Sequence, residues 1–238
     1  LEFLNYGSKK YNCKNIIKFL KLQKIKTYSS DKIQDKNLDP WVQSISINSG
    51  IKSKKYKIYN LGENIPENIN QIWDLLTKKK INSAVWGPMN TKFKNNNFLK
   101  IFFPDPWNYE NIVKPVDLKY IYKLAQMYAN NYTSDTGKLN LYYLVKSSLY
   151  LLKKGIFFEL LKDSRLFFSI LMKNGLKNYI LFFLFDIISI LIFKNITKSK
   201  KINFSLLFLN SLAHFQHNNW DNKKEEEDYF LFTDYIFK

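Results

Sequence analysis

Apolar residues recur at helical spacing near the start of the chain. In "NCKNIIKFLKLQKI", Ile16, Ile17, Phe19, Leu20 and Leu22 are interleaved with lysines, which predicts an amphipathic opening helix. A turn-rich stretch, "SSDKIQDKNLDP", ends it. "WVQSISINSG", following Pro40, fits either a strand or a short helix, because its apolar positions settle neither period. From Pro66, "PENINQIWDLLTKKK" places Ile69, Ile72, Trp73, Leu75 and Leu76 on one face, with proline and glutamate early and lysines late. Those are the helix-terminal preferences set by capping and the backbone dipole. "INSAVWGPMN" reads as a short strand stopped by Gly87 and Pro88, and "FLKIFFPDPWNYE" as a second strand entering a stiff Pro104-Asp105-Pro106 turn.

From Asp117 to Phe193 the pattern is helical, broken near "TSDTG", Gly155 and "KNG", which predicts about four helices. The most apolar run, "YILFFLFDIISILIF", extends from Tyr179 to Phe193 and carries Asp186. A spanning helix needs roughly 20 apolar residues without a central charge, so a buried or membrane-surface helix is expected. "KSKKINFSLLFLNSLAHFQHNNW" then predicts a basic loop and a continuous apolar strand from Ile202 to Leu209, of the kind a central parallel strand needs. The acidic "DNKKEEEDYF" reads as the solvated start of a last helix. The expected architecture is α/β, a mostly parallel sheet flanked by helices. Residues 1–114 form part of the core, 115–198 a helical insertion or cap, and 199–238 a return to the core.

The composition, 46% hydrophobic and 17% aromatic over 238 residues, is ample for a buried core and excludes a disordered tail. A net charge of +17 attracts polyanions. Nearly all of it is lysine, with Arg165 the one arginine, whereas base readers favour the planar arginine fork. Nucleic acid is therefore not the expected partner, while peripheral membrane contact through the helices of 156–193 stays open. Cys13 is alone, so there is no disulfide framework and no cysteine zinc site, which suits a reducing compartment or a bacterial cell, cytoplasmic or periplasmic. The chain starts at Leu1 rather than methionine and stops on the apolar "YFLFTDYIFK". On that basis a longer parent, truncated at both ends, is expected.

The only histidines, His214 and His217, lie three apart just after the predicted last strand, at the strand end where open α/β sheets bind ligands. Imidazole is a common ligand for zinc, yet a catalytic zinc needs about three protein ligands, so a metal pair and a satisfied core or surface pair both remain open. Trp107 either stacks on a base or sugar at a pocket mouth or caps the core. Asn90 either reaches a substrate oxygen or shapes a turn.

"NSLAHFQHNNW" resembles a segment of the alkaline phosphatase superfamily, in its type I phosphodiesterase/nucleotide pyrophosphatase group. There a strand is followed by serine, a metal-binding aspartate, glutamine-histidine and tryptophan; Ser211, Gln216, His217 and Trp220 match. "QIWDLLTKKKINSAVWGPMN" and "FFPDPW" resemble that family's helix, strand and Pro-Asp-Pro turn, and "PWVQSISINSGIKSKKYKIYNLG" resembles its nucleophile-bearing segment. The resemblance covers about residues 38–107 and 202–220.

It implies a hydrolase of phosphodiesters, nucleotide sugars or related phosphate and sulfate esters, using a divalent metal such as zinc, with two metals in the complete site. His217 falls on a metal-ligand position. Ala213 stands where the family has its aspartate, Tyr56 where it has a histidine, and Pro40 where the nucleophile is expected. A shifted alignment gives Ser44 as nucleophile, with Asp39 and Gln43 beside it, and lets His214 replace the missing aspartate. Asn90 and Trp107 are the candidate substrate contacts. The alternative is a non-catalytic relative acting in binding or surface-polysaccharide assembly.

Overall fold

The computed structural model describes residues 2–24, 39–133, 140–175, 178–219 and 225–238. Its elements in order are α1 (Glu2–Lys10), α2 (Lys14–Leu20), α3 (Pro40–Ser49), α4 (Ser53–Tyr56), α5 (Ile72–Lys78), β1 (Ser83–Trp86), β2 (Leu99–Phe103), α6 (Lys119–Thr133), α7 (Leu141–Lys153), α8 (Ile156–Asn174), α9 (Asn178–Ser199), β3 (Phe204–Leu207), α10 (Ser211–Asn219) and α11 (Glu226–Ile236). The chain divides into two compact units. One is built from Leu1–Thr27, Phe158–Leu191 and Leu209–Lys238, the other from Tyr28–Phe157 and Ile192–Phe208.

The second unit holds a parallel three-stranded sheet in the order β2-β1-β3. β1, "SAVW", is buried along its whole length, as a strand covered on both faces requires. Trp73 of α5 packs with Val85, Leu99 and Phe102. Trp86 stacks on Phe103 at 3.9 Å, and Tyr122 meets Phe103 edge-on at 5.2 Å. The central strand is thus β1, which corrects the expectation for Ile202 to Leu209. Among the described residues only Phe204–Leu207 pair there, on an edge, and Ser205 is exposed. With one neighbour, the strand stays half-solvated and shorter than its apolar run.

Two further boundaries differ from the periodicity. "WVQSISINSG" is helical: Pro40 occupies its first turn, and Gly50 ends it in the left-handed region at φ 70°, where glycine carries no Cβ penalty. Val42 and Ile45 of α3 close a small core with Tyr56, Ile58, Ile65 and Ile69. The helix expected from Pro66 begins only at Ile72. The Gln71 N–H donates to the Asp74 carboxylate at 2.9 Å in a reciprocal cap that fixes the start later than the apolar pattern does.

The other unit is helical and aromatic. Ile16, Ile180, Phe183, Phe215, Phe230 and Phe232 are central to its core, with Phe183 and Phe232 stacked at 3.8 Å. Asp234 of α11 accepts from the N–H groups of Asn15 and Ile16 at 2.7 and 2.9 Å, and so caps the first turn of α2. The helical stretch expected as a single cap at 115–198 is divided: α6 and α7 belong with the sheet, while Phe158–Leu191 joins the chain's two end segments. The return expected at 199–238 divides likewise, β3 going to the sheet unit and α10 and α11 to the helical one. Among the described residues, Tyr179–Ser199 is long and apolar enough to cross a membrane, with a mean hydropathy of 2.1, and half of its most apolar stretch is buried inside the protein.

Candidate functional site

Asp186 sits in the most apolar helix of the chain and is 5% exposed. A carboxylate there needs donors, since removing it from water unpaired is costly. The start of α10 supplies one: the Ser211 N–H donates to Asp186 Oδ2 at 2.9 Å, where the positive end of the helix dipole favours an acidic group. Burial pushes the Asp186 carboxyl up to about 6, against the amide bonds from Ser211 and Asn210.

One turn further along α10, the His214 ring stacks on Phe182 at 4.2 Å. Its Nε2 lies 3.0 Å from the Asn210 amide nitrogen. Burial lowers its pKa, with a smaller contribution from neighbouring His217. His217 is exposed on the same helix. Gln216 donates to the Tyr229 hydroxyl of α11 at 2.9 Å, which ties α10 into the aromatic core. Of the residues carrying the resemblance, Ser211 and Gln216 therefore hold the helix in place, and Trp220 lies outside the described residues.

A zinc site needs three or four ligands at one point. Among the described residues no group of three histidine, cysteine, aspartate or glutamate side chains is placed to hold a metal. Ala213 offers no ligand atom, His214 is engaged with Asn210 and Phe182, and the Asp186 carboxylate is committed to α10. These residues alone do not complete the metal site.

The other candidates lie in the sheet unit, in the loops that follow β1 and β2. Gly87 (φ 80°) must be glycine, because a Cβ there would stand 2.4 Å from the Phe208 carbonyl oxygen. Asn90 is 1% exposed. Its Oδ1 accepts from the Gly62 N–H at 2.7 Å, and its Nδ2 donates to the Trp41 and Asn60 carbonyls at 3.3 and 3.0 Å. Its own N–H donates to Asp105 Oδ2 at 3.2 Å. Asp105 also accepts from the Trp107 N–H, and its carbonyl accepts from the Tyr122 hydroxyl. Burial raises the Asp105 carboxyl to about 6, opposed by those backbone bonds.

Asn90 and Asp105 thus join the two strand-end loops to α3 and to the 60–62 turn. This favours the turn-shaping role of Asn90 over direct contact with a substrate. Trp107 is half-buried, and its carbonyl lies so near Gly62 that a Cβ there would come within 2.7 Å.

The proposed nucleophile is engaged too. Ser44 Oγ donates to the Met89 carbonyl at 2.7 Å and accepts from Asn48 at 3.3 Å. A nucleophilic serine instead gives its proton to an adjacent base. Tyr56, where the resemblance would expect a histidine, donates to the Val42 carbonyl and belongs to the small α3 core. Asp39 stands half-buried at the start of α3 with no side-chain cap bond, and Gln43 lies half-buried on the same helix. The structure brings Ser44 and Asn90 to one loop through Met89; His214 and His217 belong to the other unit.

The sequence marked Asp105 and Asp186 but gave neither a role in a site, and it did not single out Asn210. The available signal was an acid set among apolar residues, in "FFPDPW" and "FFLFDII", since a charge in such a run demands a partner. Comparison with protein families, with characterised proteins and with solved structures finds no match to this chain.

Proposed function

We propose that this chain contributes to a metal-dependent hydrolase of phosphodiesters, nucleotide sugars or related phosphate and sulfate esters, of the alkaline-phosphatase type. The observation that carries the reading is the pair of polar loops at the carboxyl ends of two parallel neighbours, β1 and β2, joined by the bond from Asn90 to Asp105. Open α/β sheets bind their ligands at that edge. In this reading Asn90 and Asp105 set the loop geometry rather than react. His217, exposed on α10 of the other unit, is the metal-ligand position that the resemblance carries over. The nucleophile and the remaining ligands are assigned to none of the described residues.

A second reading, the non-catalytic relative, is favoured by Ser44, whose proton is given to the Met89 carbonyl and whose oxygen accepts from Asn48. One experiment separates them: metal content by mass spectrometry, with turnover of bis(p-nitrophenyl) phosphate, for the wild type, His217→Ala and Ser44→Ala. The hydrolase reading expects His217→Ala to lose its metal and on the order of 100-fold in turnover, the scale seen when a metal site is disturbed. Ser44→Ala should leave turnover intact. A wild type with neither metal nor turnover sinks this reading and leaves the binding role.

A further inference from the structure

We propose that α7 is a membrane-docking helix that lays an apolar stripe onto an anionic bilayer surface. Its sequence, "LYYLVKSSLYLLK", is amphipathic in an unusual sense, because the apolar stripe faces outward. Ser147, Tyr150 and Leu151 are buried, on the side of the helix that packs against α6. The opposite arc carries Leu141, Leu144, Val145, Leu149 and Leu152, at 72, 37, 48, 54 and 44% exposure. The spacing of three and four residues aligns these side chains in one row. A surface stripe this apolar marks an interaction site.

Charge selects the occupant. Lys146 and Lys153 flank the stripe on one side and Lys154 follows it, all exposed. α7 contains no acidic residue, and neither does α6 behind it. At the rim, Tyr120 and Tyr142 meet edge-on at 5.8 Å, with Lys119 over the first ring at 4.9 Å and Lys146 over the second at 5.6 Å.

Lysines and tyrosines bordering an apolar stripe are what a lipid interface accommodates. The chains enter the acyl boundary while ammonium groups and ring hydroxyls stay among the headgroups. A second copy of the same face packed antiparallel would set lysine against lysine along one edge, which like-charge repulsion opposes. With 13 residues, α7 is roughly 20 Å long, so it lies in the interface and does not span it. The sequence had directed this contact to the helices of 156–193; the stripe that is exposed and free of acid is on the helix before them.

The test is co-sedimentation of the chain with phosphatidylcholine vesicles, with and without phosphatidylglycerol, for the wild type and for Leu149→Ser/Leu152→Ser, which keeps the charge. The wild type should partition onto the anionic vesicles, weakly onto the neutral ones. The double variant should bind at least about tenfold less, from the apolar area it no longer inserts. Lys146→Gln/Lys153→Gln should cost about tenfold or more. Both pairs are exposed, so their urea midpoints should match the wild type, which separates a docking loss from misfolding.

No partition onto anionic vesicles overturns the proposal. So does unchanged partition in the leucine variant, which would leave only diffuse attraction by the net charge. A concentration-dependent dimer dissolved by the same leucine changes, without lipid binding, overturns it as well and assigns the stripe to a second copy.

Discussion

Asn90 shows how one buried amide fixes a loop: three bonds from its side chain reach Gly62, Trp41 and Asn60, and its backbone sits in the left-handed region at φ 47°. Replacing it with alanine removes the bonds and strains the backbone, whereas Asn90→Gly removes the bonds alone. Each buried group left without a partner costs about 1–3 kcal/mol, so Asn90→Gly should destabilise by roughly 3 kcal/mol in urea unfolding. A residue that served only a substrate would leave that midpoint unmoved. Asp186 gives a pH-dependent counterpart. Burial raises its folded carboxyl from 3.8 to about 6, so the folded state holds a proton more tightly than the unfolded one. The resulting stabilisation is fully present below about pH 4 and is lost as pH rises through about 6. Asp186→Asn keeps an acceptor for the Ser211 N–H and removes the titration. The variant should therefore gain on the wild type between about pH 4.5 and about pH 7, read from paired urea midpoints; equal midpoint changes would refute the buried charge.

Helices and strands were legible in proportion to how far local chemistry decides them. β1 and β2 stood out as short apolar runs ending at Gly87 and Pro104, and both are strands. α3 was ambiguous because its apolar positions are few, and the proline at its start with the left-handed Gly50 at its end settled it. β3 misled because an apolar run says nothing about how many neighbours a strand has; Leu206 and Leu207 are only half-covered. Gly7 shows a constraint no local pattern contains. It lies in α1, where a Cβ would stand 1.9 Å from the Phe230 ring of α11. Gly→Ala inside a helix ordinarily stabilises by about 0.5–1 kcal/mol. Here Gly7→Ala must push apart two packed helices, and overpacking of this kind costs about 1–3 kcal/mol. The thermal midpoint should fall rather than rise; a rise would mean α1 does not rest on Phe230.

At the scale of the whole molecule, the candidate site was only partly legible, because its decisive partners are distant in sequence. "HFQH" was visible as a histidine pair, but Phe182 against His214 and Asp186 against Ser211 join positions 32 and 25 residues apart. Charge, by contrast, is fully legible and makes a prediction of its own. Lysine and arginine outnumber aspartate and glutamate by 37 to 20. Among the described residues four ion pairs form, Lys10–Glu226, Lys92–Glu67, Lys94–Asp74 and Lys173–Glu227. Apart from Lys94–Asp74, whose carboxylate is buried, these are surface pairs that contribute about 0–1 kcal/mol each, too little to offset a surplus of 17 like charges confined to one folded chain. Self-repulsion is stronger in the compact state than in the expanded one. Screening should therefore stabilise the fold. Raising sodium chloride from about 0.01 M to about 0.1 M shortens the screening length from ~30 to ~10 Å, and the thermal midpoint should climb across that range. Potassium chloride at equal ionic strength should give the same rise, because screening counts charges and not identities. A midpoint that stays flat or falls would show that attractive pairs outweigh the surplus, and that the lysines are far better matched than their number suggests.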